Sequence, residues 1–99
     1  MTYLQFEFPY AGPWGPEMAA RLEGLAHQIA AEDGLTWKIW TENRETGRAG
    51  GIYQFRDMGA AEAYRRKYVE RLSGLGIRDI ATRYFEANTA LSRITRAPV

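Results

Sequence analysis

The sequence predicts an α+β domain of order βαββαβ, in which a four-stranded antiparallel sheet carries two helices on one face. Three observations predict it. Residues 2–8 alternate, with Leu4, Phe6 and Phe8 on one side and Tyr3, Gln5 and Glu7 on the other, which is the period of a strand. Two stretches of helical period flank a pair of strand-like runs, Leu35 to Glu42 and Arg48 to Phe55. A mixed run over residues 77–87 supplies a fourth strand.

After the first strand, Pro9 to Gly15 is too rich in chain-breaking residues to extend it and forms a shaped loop. Pro16 suits a first helical turn, where its missing N–H is harmless. Met18, Leu22, Leu25 and Ile29 then recur at spacings of four, three and four, and Gly34 is expected to end this helix as a left-handed cap. In the hairpin that follows, the oily positions Leu35, Trp37, Ile39, Tyr53 and Phe55 are all odd, so a regular ladder pairs odd with odd. Closing it at Glu42 opposite Arg48, around a five-residue turn from Asn43 to Gly47, places Trp37 across from Tyr53 and Trp40 across from Gly50. Gly50 and Gly51 then leave room for an indole and for close approach of a covering element.

A second helix starts at Asp57 or Met58, with Ala61, Tyr64, Tyr68, Leu72 and Leu75 as its buried stripe and Gly74 and Gly76 at its end. Residues 88–94 add a short helical turn, and residues 95–99 are expected to fray. Leu4, Phe6, Phe8, Trp37, Ile39, Tyr53 and Phe55 are thus expected under the helices. Tyr3, Gln5, Lys38, Trp40, Glu42 and Ile52 are expected on the reverse face, where their mixture of rings and charges has the character of a subunit interface. The arrangement is ferredoxin-like, and two such sheets meeting face to face make a dimeric α+β barrel.

Composition narrows the function. Ninety-nine residues with 45% hydrophobic content make one domain over 1–99, and a net charge of +1 leaves no footprint for nucleic acid or an anionic membrane. With no cysteine and one histidine, neither thiolate nor imidazole metal sites are expected, and no cofactor is assigned. His27 falls off the apolar stripe and is expected at the surface. No phosphate-cradling glycine loop occurs. The N-terminus lacks the pattern of a signal peptide, so a cytoplasmic, bacterial protein is the expectation.

Several stretches together resemble one family: the Phe6-X-Phe8 strand with Gly12-Pro13-Trp14-Gly15 after it, Trp37-Lys38-X-Trp40-Thr41-Glu42, Gly50-Gly51-Ile52-Tyr53-X-Phe55, and Asn88 with Leu91-Ser92. The chain is similar over nearly its whole length to the YdhR-type putative monooxygenases of the dimeric α+β-barrel superfamily. The resemblance implies a homodimer of ferredoxin-like subunits and an oxygenase activity, by likeness to cofactor-free, quinone-forming monooxygenases.

Such an enzyme needs a substrate that can itself reduce oxygen, an aromatic phenolate or enolate, held in a dry pocket with donors aimed at the developing anion. On this reading Trp37 and Tyr53 position the oxygen of a small aromatic or quinol-like substrate, Arg83 is an electrostatic partner, and Phe6, Phe8, Trp14, Tyr64 and Phe85 bind the ring. Arg83 enters the pocket if the last strand turns Ala81 and Phe85 to the helices. It is a surface or interface residue if Ile80 and Tyr84 turn inward. Trp14 is either a lid over the pocket or part of a rigid, proline-restricted connection. The competing function is a non-catalytic small-molecule-binding or stress-response homodimer that uses the same cavity.

Overall fold

The computed structural model describes residues 1–99 in the order β1 (Thr2–Pro9), α1 (Gly15–Ala30), β2 (Leu35–Asn43), β3 (Arg48–Phe55), α2 (Met58–Gly74), β4 (Ala81–Phe85) and α3 (Thr89–Ile94). The strands form one antiparallel sheet in spatial order β2-β3-β1-β4, the ferredoxin-like topology. Pro16 sits in the first turn of α1, as its fixed backbone angle favours. Asp57 caps α2 by accepting from the Ala60 N–H at 2.9 Å, and Asn88 caps α3 through the Leu91 N–H at 3.2 Å. No helix is long and apolar enough to cross a membrane.

β1 keeps the predicted alternation. Leu4 pairs with Tyr53 and Tyr84, and Phe6 with Gly51 and Thr82, so these residues share the helix-facing side. Leu4, Phe6 and Phe55 are fully enclosed, and Ala61, Tyr64 and Tyr68 of α2 close over them. The Phe6 ring meets Tyr53 and Tyr64 edge-on at 5.9 and 6.0 Å, a favourable geometry for aromatic quadrupoles.

The hairpin departs from the odd-with-odd register. Its loop has four residues between paired Asn43 and Arg48. Asn43 organises that loop: its Oδ1 accepts from the Thr46 N–H at 3.2 Å and its carbonyl from the Gly47 N–H at 3.0 Å, with Gly47 at φ +67°. An even loop pairs odd with even, so Lys38 lies across from Tyr53, Trp40 from Gly51, and Trp37 from Gln54. A bulge at Thr36 then restores Leu35 opposite Phe55. Lys38, Trp40 and Glu42 therefore face the helices, whereas Trp37 and Ile39 lie on the reverse face. This overturns the expected placement of all five.

Smaller corrections share a local cause. α1 closes at Ala31 with an ordinary helical backbone, and Gly34, at φ +79°, instead shapes the turn into β2, its carbonyl accepting from the Arg56 N–H at 2.7 Å. Leu75 is 77% exposed because it falls just beyond the last turn of α2. Strand β4 is shorter than residues 77–87 because Asp79 adopts φ +55°, which breaks the extended run before Ala81. The last residues do not simply fray: Ala97 N–H donates to the Ser92 carbonyl at 2.9 Å, and Val99 borders a cleft floored by Tyr3 and Gln54.

Candidate functional site

Between the helices and the β2–β3–β1 part of the sheet lies a cavity of about 260 Å³, lined almost wholly by apolar and aromatic side chains. Phe6 and Phe8 come from β1, Tyr53 from β3 and Tyr64 from α2, so four of the expected site residues converge here. α1 contributes the Met18, Leu22, Leu25 and Ile29 stripe predicted from its period. Exposed Leu75 lies at the rim. On the far side of Met18, Leu22 and Trp40 a second hollow of about 320 Å³ runs along α1, bounded by Gly15 and Glu42. The Glu42 carboxylate accepts from the Gly15 N–H at 2.9 Å, tying the hairpin to the start of α1, where a negative charge is favoured.

Two polar features interrupt the apolar wall. The first is a phenol pair: the Tyr64 hydroxyl donates to the Tyr53 oxygen at 3.0 Å. Burial raises the pKa of both phenols well above the ordinary tyrosine value, so they stay protonated and the Tyr53 hydroxyl keeps a proton to donate. The second is Lys38. Its Nζ sits 3.3 Å from the centroid of the Trp40 ring and 4.8 Å from that of Tyr53, and it enters no ion pair. Burial pushes its ammonium down to about 7. The two ring faces act in the opposite sense, since each attracts the cation, but desolvation is the larger effect.

Gly51 makes this placement of Lys38 sterically open. A β-carbon there would stand 2.6 Å from Lys38 Cε and 3.1 Å from both the Ile39 carbonyl oxygen and the Tyr53 ring. At Gly50 it would collide with the Phe6 carbonyl oxygen of the neighbouring strand. The glycine pair thus serves an amine and a backbone approach; the indole opposite it is across from Gly51, not Gly50.

The remaining site expectations fall elsewhere. Trp37 is on the reverse face, 6.1 Å from the Tyr3 ring. Arg83 pairs with Gln5 on that same face and is exposed, because Tyr84 and Thr82 take the inward positions. Phe85 also points outward and stacks on Tyr3 at 5.7 Å. Trp14 caps α1 and meets Tyr10 edge-on at 5.1 Å, outside the lining; Tyr10, anchored by its hydroxyl to the Pro13 carbonyl at 2.8 Å, lines the cavity in its place. Lys38 and Trp40 were missed as interior residues. The nearest signal for them is the Asn-Arg-Glu-Thr-Gly turn, whose side-chain-organised loop ending in a left-handed glycine accommodates a four-residue as well as a five-residue count. His27 is exposed, as its position off the stripe predicts.

On the reverse face Tyr3 is sandwiched between Phe85 and Trp37 and is only 5% exposed, with Gln54 donating to its hydroxyl at 2.6 Å. Gln5 and Ile52 are half-buried beside it, while Ile39 and Phe85 remain 52% and 41% exposed. Arg48 reaches Glu7 and the Asp79 carbonyl at one end.

The architecture matches a crystal structure of a putative antibiotic biosynthesis monooxygenase from Deinococcus radiodurans, with a TM-score of 0.59 and 20% identity over 89% of this chain and 93% of that one. At that identity the likeness defines the fold, a ferredoxin-like α+β domain. The sequence defines the family: residues 3–98 match the model described as "Putative mono-oxygenase ydhR", and the chain belongs to that family. No curated protein matches the sequence.

Proposed function

We propose that the protein is a cofactor-independent monooxygenase that oxidises a small aromatic or quinol-like substrate in the cavity between sheet and helices. The observation that carries this reading is the lining: a partly open cavity of about 260 Å³ walled by aliphatic and aromatic side chains, with tyrosine hydroxyls, among them the Tyr53–Tyr64 pair, and the Lys38 amine as its few polar groups. Apolar pockets with a small number of placed polar groups suit binding and orienting a ring. Membership of a family described as mono-oxygenases supplies the reaction class.

For a substrate with an activated ring CH₂, the balance is R₂CH₂ + O₂ → R₂C=O + H₂O. The carbon loses two hydrogens and gains one oxygen atom; the other oxygen leaves as water. Loss of the first proton makes the electron-rich anion that reduces oxygen. Tyr53 is placed to donate to the developing oxyanion, and Phe6, Phe8 and Tyr64 hold the ring. Trp37, Arg83, Trp14 and Phe85 have no part in this scheme, since their side chains lie away from the enclosure.

Oxygen uptake across a panel of hydroxynaphthalenes and anthrones, without added flavin or metal, tests the reading. Product formation supports it. Thermal stabilisation by the same compounds with no oxygen uptake supports a binding protein instead. The reading also includes a homodimer in which two reverse faces pack together through Ile39, Ile52, Phe85 and Gln5, burying rings that stay exposed in one chain. Solution mass measurement checks that part separately: a monomeric mass at micromolar concentration removes the dimer.

A further inference from the structure

Lys38 is the one charged side chain on the cavity wall. An amine in such a place costs stability unless a partner of opposite charge meets it, and the protein provides none. The titratable groups facing it are phenols: Tyr53 from β3, Tyr64 and Tyr68 from α2, and Tyr10 from the loop after β1. Three of these already donate elsewhere, Tyr10 to Pro13, Tyr64 to Tyr53 and Tyr68 to Glu32. α1 presents only apolar side chains, and Glu42, on the same strand, is engaged with Gly15 beyond the Trp40 ring. The missing counter-charge is therefore expected from a ligand.

We propose that the cavity binds small acidic phenols or enols, and that Lys38 takes the ligand's hydroxyl proton and holds the resulting anion through its ammonium group. The proposal rests on the reading that this cavity receives an aromatic ligand, but on no oxygen chemistry. The step balances as ArOH + Lys–NH₂ → ArO⁻ + Lys–NH₃⁺. A carboxylate would arrive charged and lose its hydration on entering an apolar passage, whereas a phenol or enol enters neutral and becomes charged only in contact with the amine. The new ammonium lies against the Trp40 and Tyr53 ring faces, which favour a cation, and the free Tyr53 proton can be donated to the anion. An apolar cavity of about 150 Å³ takes up benzene, so about 260 Å³ with an open side has room for a small fused-ring system.

The test uses 3-nitrophenol, a weaker acid than 4-nitrophenol whose ionised form absorbs in the visible, titrated into the intact protein at a pH about one unit below the ligand's own ionisation, where Lys38, at about 7, is largely the free amine. Bound ligand should show the phenolate band, with roughly tenfold more phenolate than free ligand at the same pH. In Lys38→Met, which keeps the apolar stem, ligand bound by equilibrium dialysis should remain the neutral phenol. Lys38→Arg, which is charged and cannot accept a proton, should release about one proton to solvent for each phenolate it binds, whereas the wild type should release almost none, as read with a pH indicator in weak buffer. A neutral-phenol spectrum for the wild-type complex, no saturable binding by the wild type, or a phenolate band that survives in Lys38→Met overturns the proposal. Oxygen uptake measured in parallel keeps the two readings apart. A phenolate band without turnover of any panel substrate retains the proposal and removes the oxygenase. Turnover of a panel substrate alongside a neutral-phenol spectrum for the wild-type complex does the reverse.

Discussion

β1 and β2 belong to one sheet, yet the first obeys its hydrophobic alternation and the second inverts it. β1 is central. Its oily side, Leu4 and Phe6, meets α2 directly, and its other side is partly covered by rings from neighbouring strands, so burial alone decides which residues point where. β2 is an edge strand whose helix-facing side borders a void. There the hairpin loop decides, and it turns Lys38 and Trp40 inward while leaving Trp37 and Ile39 out. The comparison teaches that alternation is a dependable guide where both faces are packed and a poor one where a strand lines a cavity. The misplaced polar residue is then the one with chemistry to do.

The sharpest way to break this contrast is to make β2 resemble β1. Lys38→Met removes a buried amine whose folded value, about 7, lies below the unfolded 10.5. Between those values the unfolded chain binds more protons, so wild-type stability rises with pH across that window. The variant lacks this slope. It should be more stable by on the order of 3 kcal/mol below about pH 7, with the gap closing toward pH 10.5, as read from urea midpoints at several pH values. Equal midpoints at pH 6 would mean that the amine is solvated and the cavity is not dry.

Gly51→Ala tests the space that admits the lysine. Its β-carbon should displace Cε, costing about 1–3 kcal/mol and weakening any phenolate signal, whereas Gly24→Ala, on an open helix surface, should not destabilise. Tyr53→Phe removes a hydroxyl on the same wall. Stability should fall by about 1 kcal/mol through loss of the Tyr64 hydrogen bond, with the fold intact. Turnover of a confirmed substrate should fall roughly tenfold or more; unchanged turnover excludes Tyr53 from the reaction. The smallest effect on the folded chain is expected outside. Ile39→Asp, at a half-exposed position, should change monomer stability by only about 0.5 kcal/mol. It should nevertheless halve the solution mass if the reverse faces pair, and an unaltered dimer mass would place the interface elsewhere.

Legibility followed the same division. Strand and helix order, the α1 stripe, the short helical turn within residues 88–94 and the convergence of Phe6, Phe8, Tyr53 and Tyr64 were all readable, because each rests on a local period or an adjacent pair. Trp37 was placed by extending a regular ladder through a hairpin that has an even loop and a bulge, and the side taken by Arg83 and Phe85 stayed open because the pattern of the fourth strand named no inner face. Trp14 was placed beside the cavity by its position in the chain, whereas its ring is held by Tyr10.

The amino-acid order by itself determined the βαββαβ sequence of elements and the family, since turn residues, caps and hydrophobic period act over a few residues each. Only the tertiary structure decided that an amine and not an indole stands opposite Tyr53. One residue more or fewer in a turn reverses every side chain beyond it, and the turn residues alone suit a four- or a five-residue loop until the strands pair and fix the count.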